Sequence, residues 1–254
     1  MKKLLCLLLC LLLLPSAMAE APVGLPLAEP LSGVYRYPDG ADESTARYSY
    51  LYAYPQVNGT DEIAAQINGF YQYLVEDAMA FAIPMAIELL EPDAAISSYT
   101  DITSEVTCNN GQYLSVRVSQ ETMTGTAAST VLSGQTFALH GDKAGSVISL
   151  PYLLGILNAD ESDPWMQDRQ TAKADELVRT LVWDVIQEQL AEGAVAYYDE
   201  LTFEAFSACF YPEEDFYMDE DGNLVFFLQE ASVAPAVEGI LLFPFTLEEL
   251  LDEL

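Results

Sequence analysis

The sequence predicts an α+β fold: antiparallel sheets packed against two main helices, in two intimately associated lobes. Three observations predict it. Tyr48, Tyr50, Tyr52 and Tyr54 alternate with Ser49, Leu51 and Ala53, the period of a strand with one aromatic face. Ile63 to Leu74 and Leu177 to Leu190 carry apolar residues at helical spacing. Near the C-terminus, two apolar runs flank Asp221-Gly222, and a third, Ile240 to Phe245, follows a corner made by Pro235 and Gly239.

In chain order, residues 1–19 read as an export signal. Lys2 and Lys3 supply its charge, Leu4 to Leu14 its apolar run, and Ala17-Met18-Ala19 the small residues of a cleavage site. That run is shorter than the ~20 residues a spanning helix needs, so no membrane span is expected after cleavage. The expected location is therefore secreted, extracellular or in a cell envelope. Residues 20–47, rich in Pro, Ala and Leu without a period, read as an N-terminal extended lead.

Residues 48–129 read as an N-terminal α+β lobe. Asn58-Gly59 breaks the tyrosine strand, and Asp61 and Glu62 suit the start of a helix, whose dipole favours negative charge there. Ile63, Ile67, Phe70, Tyr71 and Leu74 mark its apolar face. Pro84 is expected to kink or end it, and Pro92 to close the segment. Ser104 to Cys108 and Gln112 to Val118 then face each other across Asn109-Asn110-Gly111, a hairpin signal. Gln120 to Ser129 reads as a polar connection.

Residues 130–254 read as the C-terminal lobe. Short strands at Thr130 and Thr136 precede a turn, His140 to Gly145, and a further run at Ser146 to Leu150. The longest helix is expected from Pro164 to Leu190, with adjacent rows Leu177/Leu181/Val185 and Val178/Val182/Ile186/Leu190, and Gly193 as its stop. Asp221-Gly222 is expected to supply the positive φ angles of the last hairpin. Thr246 with Glu249 fits a capping box that opens a short terminal helix.

Charge narrows the function. Forty acidic residues against nine basic ones give a net charge of −31, and loss of the signal removes two lysines more. Such a surface repels nucleic acid and anionic polymers and attracts cationic partners, while also serving solubility alone. His140 is the only histidine. A zinc hydrolase needs several imidazole or thiolate ligands, and no Gly-x-Ser-x-Gly motif occurs, so no catalytic residue, cofactor or metal is assigned.

The acidic group Glu213, Glu214, Asp215, Asp219, Glu220 and Asp221 includes the middle of a calcium-loop pattern. Tyr217 and Leu228 would then occupy the first and last ligand positions, and neither can serve. The tyrosine ladder suits either sugar stacking or a half-buried sheet. Cys108 and Cys209 are the two cysteines left after signal cleavage. They suit one disulfide or two buried thiols equally well.

Four stretches carry a resemblance: Tyr54-Pro55-Gln56-Val57-Asn58-Gly59 with the helix after it; Gln112 to Val116; Phe137 to Lys143 with Ile148 to Leu154; and Phe216 to Phe245. In order and spacing they resemble the extracellular sensor domain of RsiV-type anti-sigma factors. That domain, of unknown function in many settings, also occurs beside peptidoglycan deacetylase domains and in free-standing secreted or lipoprotein forms. The sequence departs from the family at Thr124 to Ser129, where members carry a Tyr followed by Gly-Gly-Ala-His-Gly, and at Ala231 to Ala236. The resemblance implies a non-catalytic binding or sensor domain for a lysozyme-like basic protein or for peptidoglycan fragments. A cell-wall glycan-modifying enzyme or accessory domain is the alternative.

Overall fold

The structure is a computed structural model, which describes residues 23–90, 97–156 and 164–253. The export-signal reading and Pro92 lie outside the described residues. Strands β1 (Leu27–Tyr37), β2 (Tyr48–Val57), β3 (Ser98–Asn109), β4 (Tyr113–Thr124) and β5 (Ala127–Ala138) form one sheet in that order. The α+β class holds, with one refinement: β2 and β3 run parallel, inside an otherwise antiparallel sheet. Parallel neighbours need a crossover. Here it is α1 (Glu62–Asp77), a π turn (Ala78–Ala82) and α2 (Ile83–Glu88).

Three expectations are corrected here. The lead of residues 20–47 contains β1, a full strand paired to β2 from Leu27 to Tyr37. Its first residues are exposed on both sides, so no alternation marks them. The stretch Gln120 to Ser129 is not a connection but the ends of β4 and β5, and the proposed boundary at 129/130 falls inside β5. Pro84, expected to kink or end the helix, does not end it. It sits in the first turn of α2, where its missing N–H costs little, and the π turn before it carries the chain through.

Asp61 caps α1 by accepting the Ala64 N–H, and Ile67, Tyr71 and Val75 bury its inner face against the sheet. The opposite face of the sheet carries a second one, β6 (Phe216–Met218), β7 (Leu224–Leu228) and β8 (Leu241–Phe245). All five β7 residues are buried, because both faces of this small sheet are covered. Val225 and Phe227 meet Leu132 of β5 on one side. Phe226, with Phe216 and Phe243, packs on the other against the last long helix.

Between the sheets and that helix, Val147 bridges to Phe137 and α3 (Leu150–Leu153) follows, so the run at Ser146 is not a strand of its own. The long helix, α4 (Pro164–Glu192), buries Ala174, Val178, Val182 and Ile186 completely. Its second row, Leu177, Leu181 and Val185, is half-buried, and Leu190 lies exposed beyond the sheet. Gly193, at φ 66°, ends it as expected. α5 (Phe203–Ser207) adds Phe206 to the same core. Thr246 and Glu249 make the expected capping box of α6 (Leu247–Asp252).

Candidate binding groove

Strand register places Glu105, Arg117 and Gly134 in one row across β3, β4 and β5. A β-bulge creates that row. Continuing the regular pairing of Asn109 with Leu114 would set Glu105 opposite Val118. The shift between Val106 and Cys108 sets it opposite Arg117 instead. Thr107, the extra residue, donates its hydroxyl to the Ser115 carbonyl at 3.3 Å.

The second sheet crosses this row at Gly134, where a Cβ atom would stand 1.7 Å from the Phe216 carbonyl oxygen. In the next row the Met218 N–H donates to the buried Ser115 hydroxyl at 2.9 Å, and Ser115 in turn shares a hydrogen bond with Thr136. Between these two fixed points Tyr217 comes over Arg117. The guanidinium carbon lies 5.5 Å from the ring centroid, and one Nη donates to the phenol oxygen at 3.4 Å. Tyr217 stacks on Phe227 behind it, and Arg117 forms an ion pair with Glu105 in front.

Beside this assembly opens a groove of about 550 Å³, walled by the β3–β4 turn and the β6–β7 turn. Both walls are held by local hydrogen bonds. Asn109 exchanges two bonds of 2.8 Å with the Leu25 backbone, and Asn110 accepts from the Gln112 and Tyr113 N–H groups. Asp219 accepts from the Asp221 and Asn223 N–H groups, and its other oxygen from the Asn223 amide. Gly222 alone supplies positive φ in this turn, at 85°; Asp221 does not share it. The lining includes three carboxylates, Glu105, Asp219 and Glu220, against one guanidinium, Arg117, and is net acidic.

The residues singled out from the sequence are divided by the fold. Asp219 and Glu220 line the groove, whereas Glu213 and Glu214 are exposed elsewhere. Asp215 is buried, accepting from the Tyr211 N–H at 2.8 Å and from the Gln229 amide. Burial pushes its carboxyl above the ordinary value. His140 is exposed in a bend. Tyr48, Tyr50 and Tyr54 are buried under α1, Tyr54 stacking on Tyr71 at 5.2 Å, so those rings present no open face to a sugar.

Cys108 and Cys209 are both free thiols in the structure. Cys108 faces the core from β3, while Cys209 follows α5 and donates its S–H to the Phe206 carbonyl. Burial raises both thiol pKa values. Among the described residues, no group of three His, Cys, Asp or Glu is placed to hold a metal ion. No helix among them is long and apolar enough to cross a membrane. Glu105, Arg117, Gly134 and Tyr217 carry no local motif. Only the hairpin at Asn109-Asn110-Gly111 hinted that Glu105 and Arg117 run past each other.

Fold and groove together define an α+β domain of two stacked sheets held between helices. The fold is that of solved proteins in the DUF3298 family, an uncharacterised domain family. One, from Bacteroides fragilis NCTC 9343, aligns at TM-score 0.54 and 13% identity over 91% of this chain and 94% of its own. Another, from Pseudomonas aeruginosa PAO1, aligns at TM-score 0.52 and 16% identity over 90% and 93%. No family model and no curated protein matches the sequence.

Proposed function

We propose that this chain is an exported, non-catalytic binding module of the RsiV-like kind, and that its groove receives a basic side chain from a protein partner. A lysozyme-like protein is the partner class we favour, with amine-bearing cell-wall fragments as the smaller equivalent. One observation carries the reading: three carboxylates and a single guanidinium line one groove, in a chain of net charge −31.

The chemistry follows from how each group is held. Arg117 is engaged by Glu105 and by Tyr217, so it serves as a rigid wall. Asp219 is oriented by three hydrogen bonds of its own turn, which fixes a negative charge at the rim without a flexible side chain to order. Glu220 stands exposed beside it. A lysine or arginine entering here meets preset acceptors, and the wider acidic surface speeds its arrival. The sequence resemblance supports the RsiV-like assignment, and the shared DUF3298 fold supports an uncharacterised domain family of this architecture.

The test is the association rate with lysozyme at low and high salt, for the native chain and for Glu220→Lys. The rate should fall steeply with salt and fall again in the variant. A rate indifferent to both removes the groove from the reading. Incubation with labelled peptidoglycan addresses the non-catalytic part: product release abolished by one carboxylate substitution would make the chain an enzyme.

A further inference from the structure

α1, the π turn and α2 form one helical segment from Glu62 to Glu88, and beyond the π turn its outer side is apolar. Tyr71, Val75 and Ala78 are buried at steps of three or four, but the next buried residue is Ile83, five positions on. The π turn thus leaves Met79 to Ala82 facing outward together. Phe81, Met85 and Leu89 then follow at four-residue spacing on one face, 64%, 62% and 77% exposed. The three side chains make an apolar strip on the order of a few hundred Å², in the range of the largest patch on a typical monomer, which is often functional.

The charges carried by the segment itself have one sign: Glu76, Asp77 and Glu88 are exposed on it, and no lysine or arginine occurs in the sequence between Arg47 and Arg117. An amphipathic helix that lies on a bilayer carries Lys and Arg on its polar face, and this one carries none. A second copy would oppose carboxylate to carboxylate, at a cost that rises as salt falls. What matches an apolar strip rimmed by carboxylates is an apolar strip rimmed by cations. Two methionines suit the role, since flexible thioethers adapt to different apolar partners.

We propose that the face formed by Phe81, Met85 and Leu89 binds a cationic amphipathic helix, laid along α2 with its basic side chains against Glu76, Asp77 and Glu88. The mode is helix against apolar surface, distinct from the side-chain capture proposed for the groove, and it stands whether or not that reading does.

The probe is a fluorescently labelled synthetic helix of leucine and lysine, titrated into the purified chain by anisotropy. Binding is expected to saturate and to weaken as salt rises. Phe81→Ser with Met85→Ser should weaken it about tenfold. Glu76→Gln with Asp77→Asn should flatten its salt dependence. The groove variant Glu220→Lys should leave the affinity unchanged, which separates the two surfaces. Circular dichroism confirms that the variants are folded. Equal affinity of the Phe81/Met85 variant for the probe overturns the proposal, as does binding that tightens with salt. So does a dimer in sedimentation that this variant dissolves, or patch-dependent adsorption to phosphatidylcholine vesicles without peptide binding.

Discussion

Gly134 lies directly beneath Phe216: a methyl group added to the glycine would stand 1.7 Å from the Phe216 carbonyl oxygen. That oxygen belongs to backbone, which cannot swing aside like a side chain. Gly134→Ala must therefore lift β6 off β5 or distort both strands, at a cost of about 1–3 kcal/mol. Lifting β6 also carries Tyr217 away from Arg117. Urea unfolding should show the destabilisation, and lysozyme association should slow in the same variant. A stability equal to that of the native chain would mean the sheets are not locked at this point.

Gly69 gives the opposite sign. It lies exposed within α1, and a Cβ there would touch nothing. Gly69→Ala should stabilise the chain by about 0.5–1 kcal/mol, because alanine gives up less backbone entropy in a helix. The two substitutions add the same methyl group with opposite expected signs: backbone entropy decides at Gly69, where space is open, and the clash with Phe216 decides at Gly134.

Asp215 predicts a pH dependence. Its carboxyl is raised above 3.8 chiefly by burial, with the Tyr211 N–H and the Gln229 amide pulling it back. A carboxyl with a raised pKa holds its proton more tightly folded than unfolded. Its favourable contribution is thus fully present below 3.8 and is lost as pH rises through the folded value. Asp215→Asn lacks that titration. The stability of the native chain relative to this variant should accordingly decline from acid toward neutral pH in urea titrations. A difference that grows with pH would reverse the assignment.

Gln229 closes a sheet edge. Its side-chain amide accepts from the Leu132 N–H at 3.0 Å and donates to the Leu132 carbonyl at 2.8 Å, standing in for a strand. Glu230 accepts from the Thr130 N–H, and further along Ser146 and Ile148 satisfy Ala138 and Thr136. Gln229→Leu keeps the volume and strands both Leu132 groups, which should cost about 1–3 kcal/mol. It also exposes a strand edge, so light scattering on heating should begin at lower temperature.

What the sequence revealed follows from where each signal resides. The capping box at Thr246, the Asn109-Asn110-Gly111 hairpin and α4 are local: a cap, a turn or one helical face specifies each within a few residues. β1 and the β4–β5 hairpin escaped because their exposed stretches have no buried face to impose alternation. The groove was not legible at all. Its central pair depends on a bulge at Thr107, and its placement depends on a glycine whose neighbour lies in another sheet. The conspicuous acidic run was divided instead, Asp215 going to the core and Asp219 to the rim.

The two free thiols give the last prediction. Cys108 is only 2% exposed, and Cys209 is half-buried with its S–H bound to the Phe206 carbonyl at 3.2 Å. Burial raises both pKa values, which starves each of the thiolate that reacts. A thiol reagent at neutral pH should therefore modify Cys209 slowly and Cys108 only on unfolding. Denaturant without reductant should release both at once. A structural bridge would contribute about 2–5 kcal/mol, so reductant would then lower the urea midpoint visibly. With free thiols the midpoint stays where it is, and Cys209→Ala changes stability only by the packing it removes.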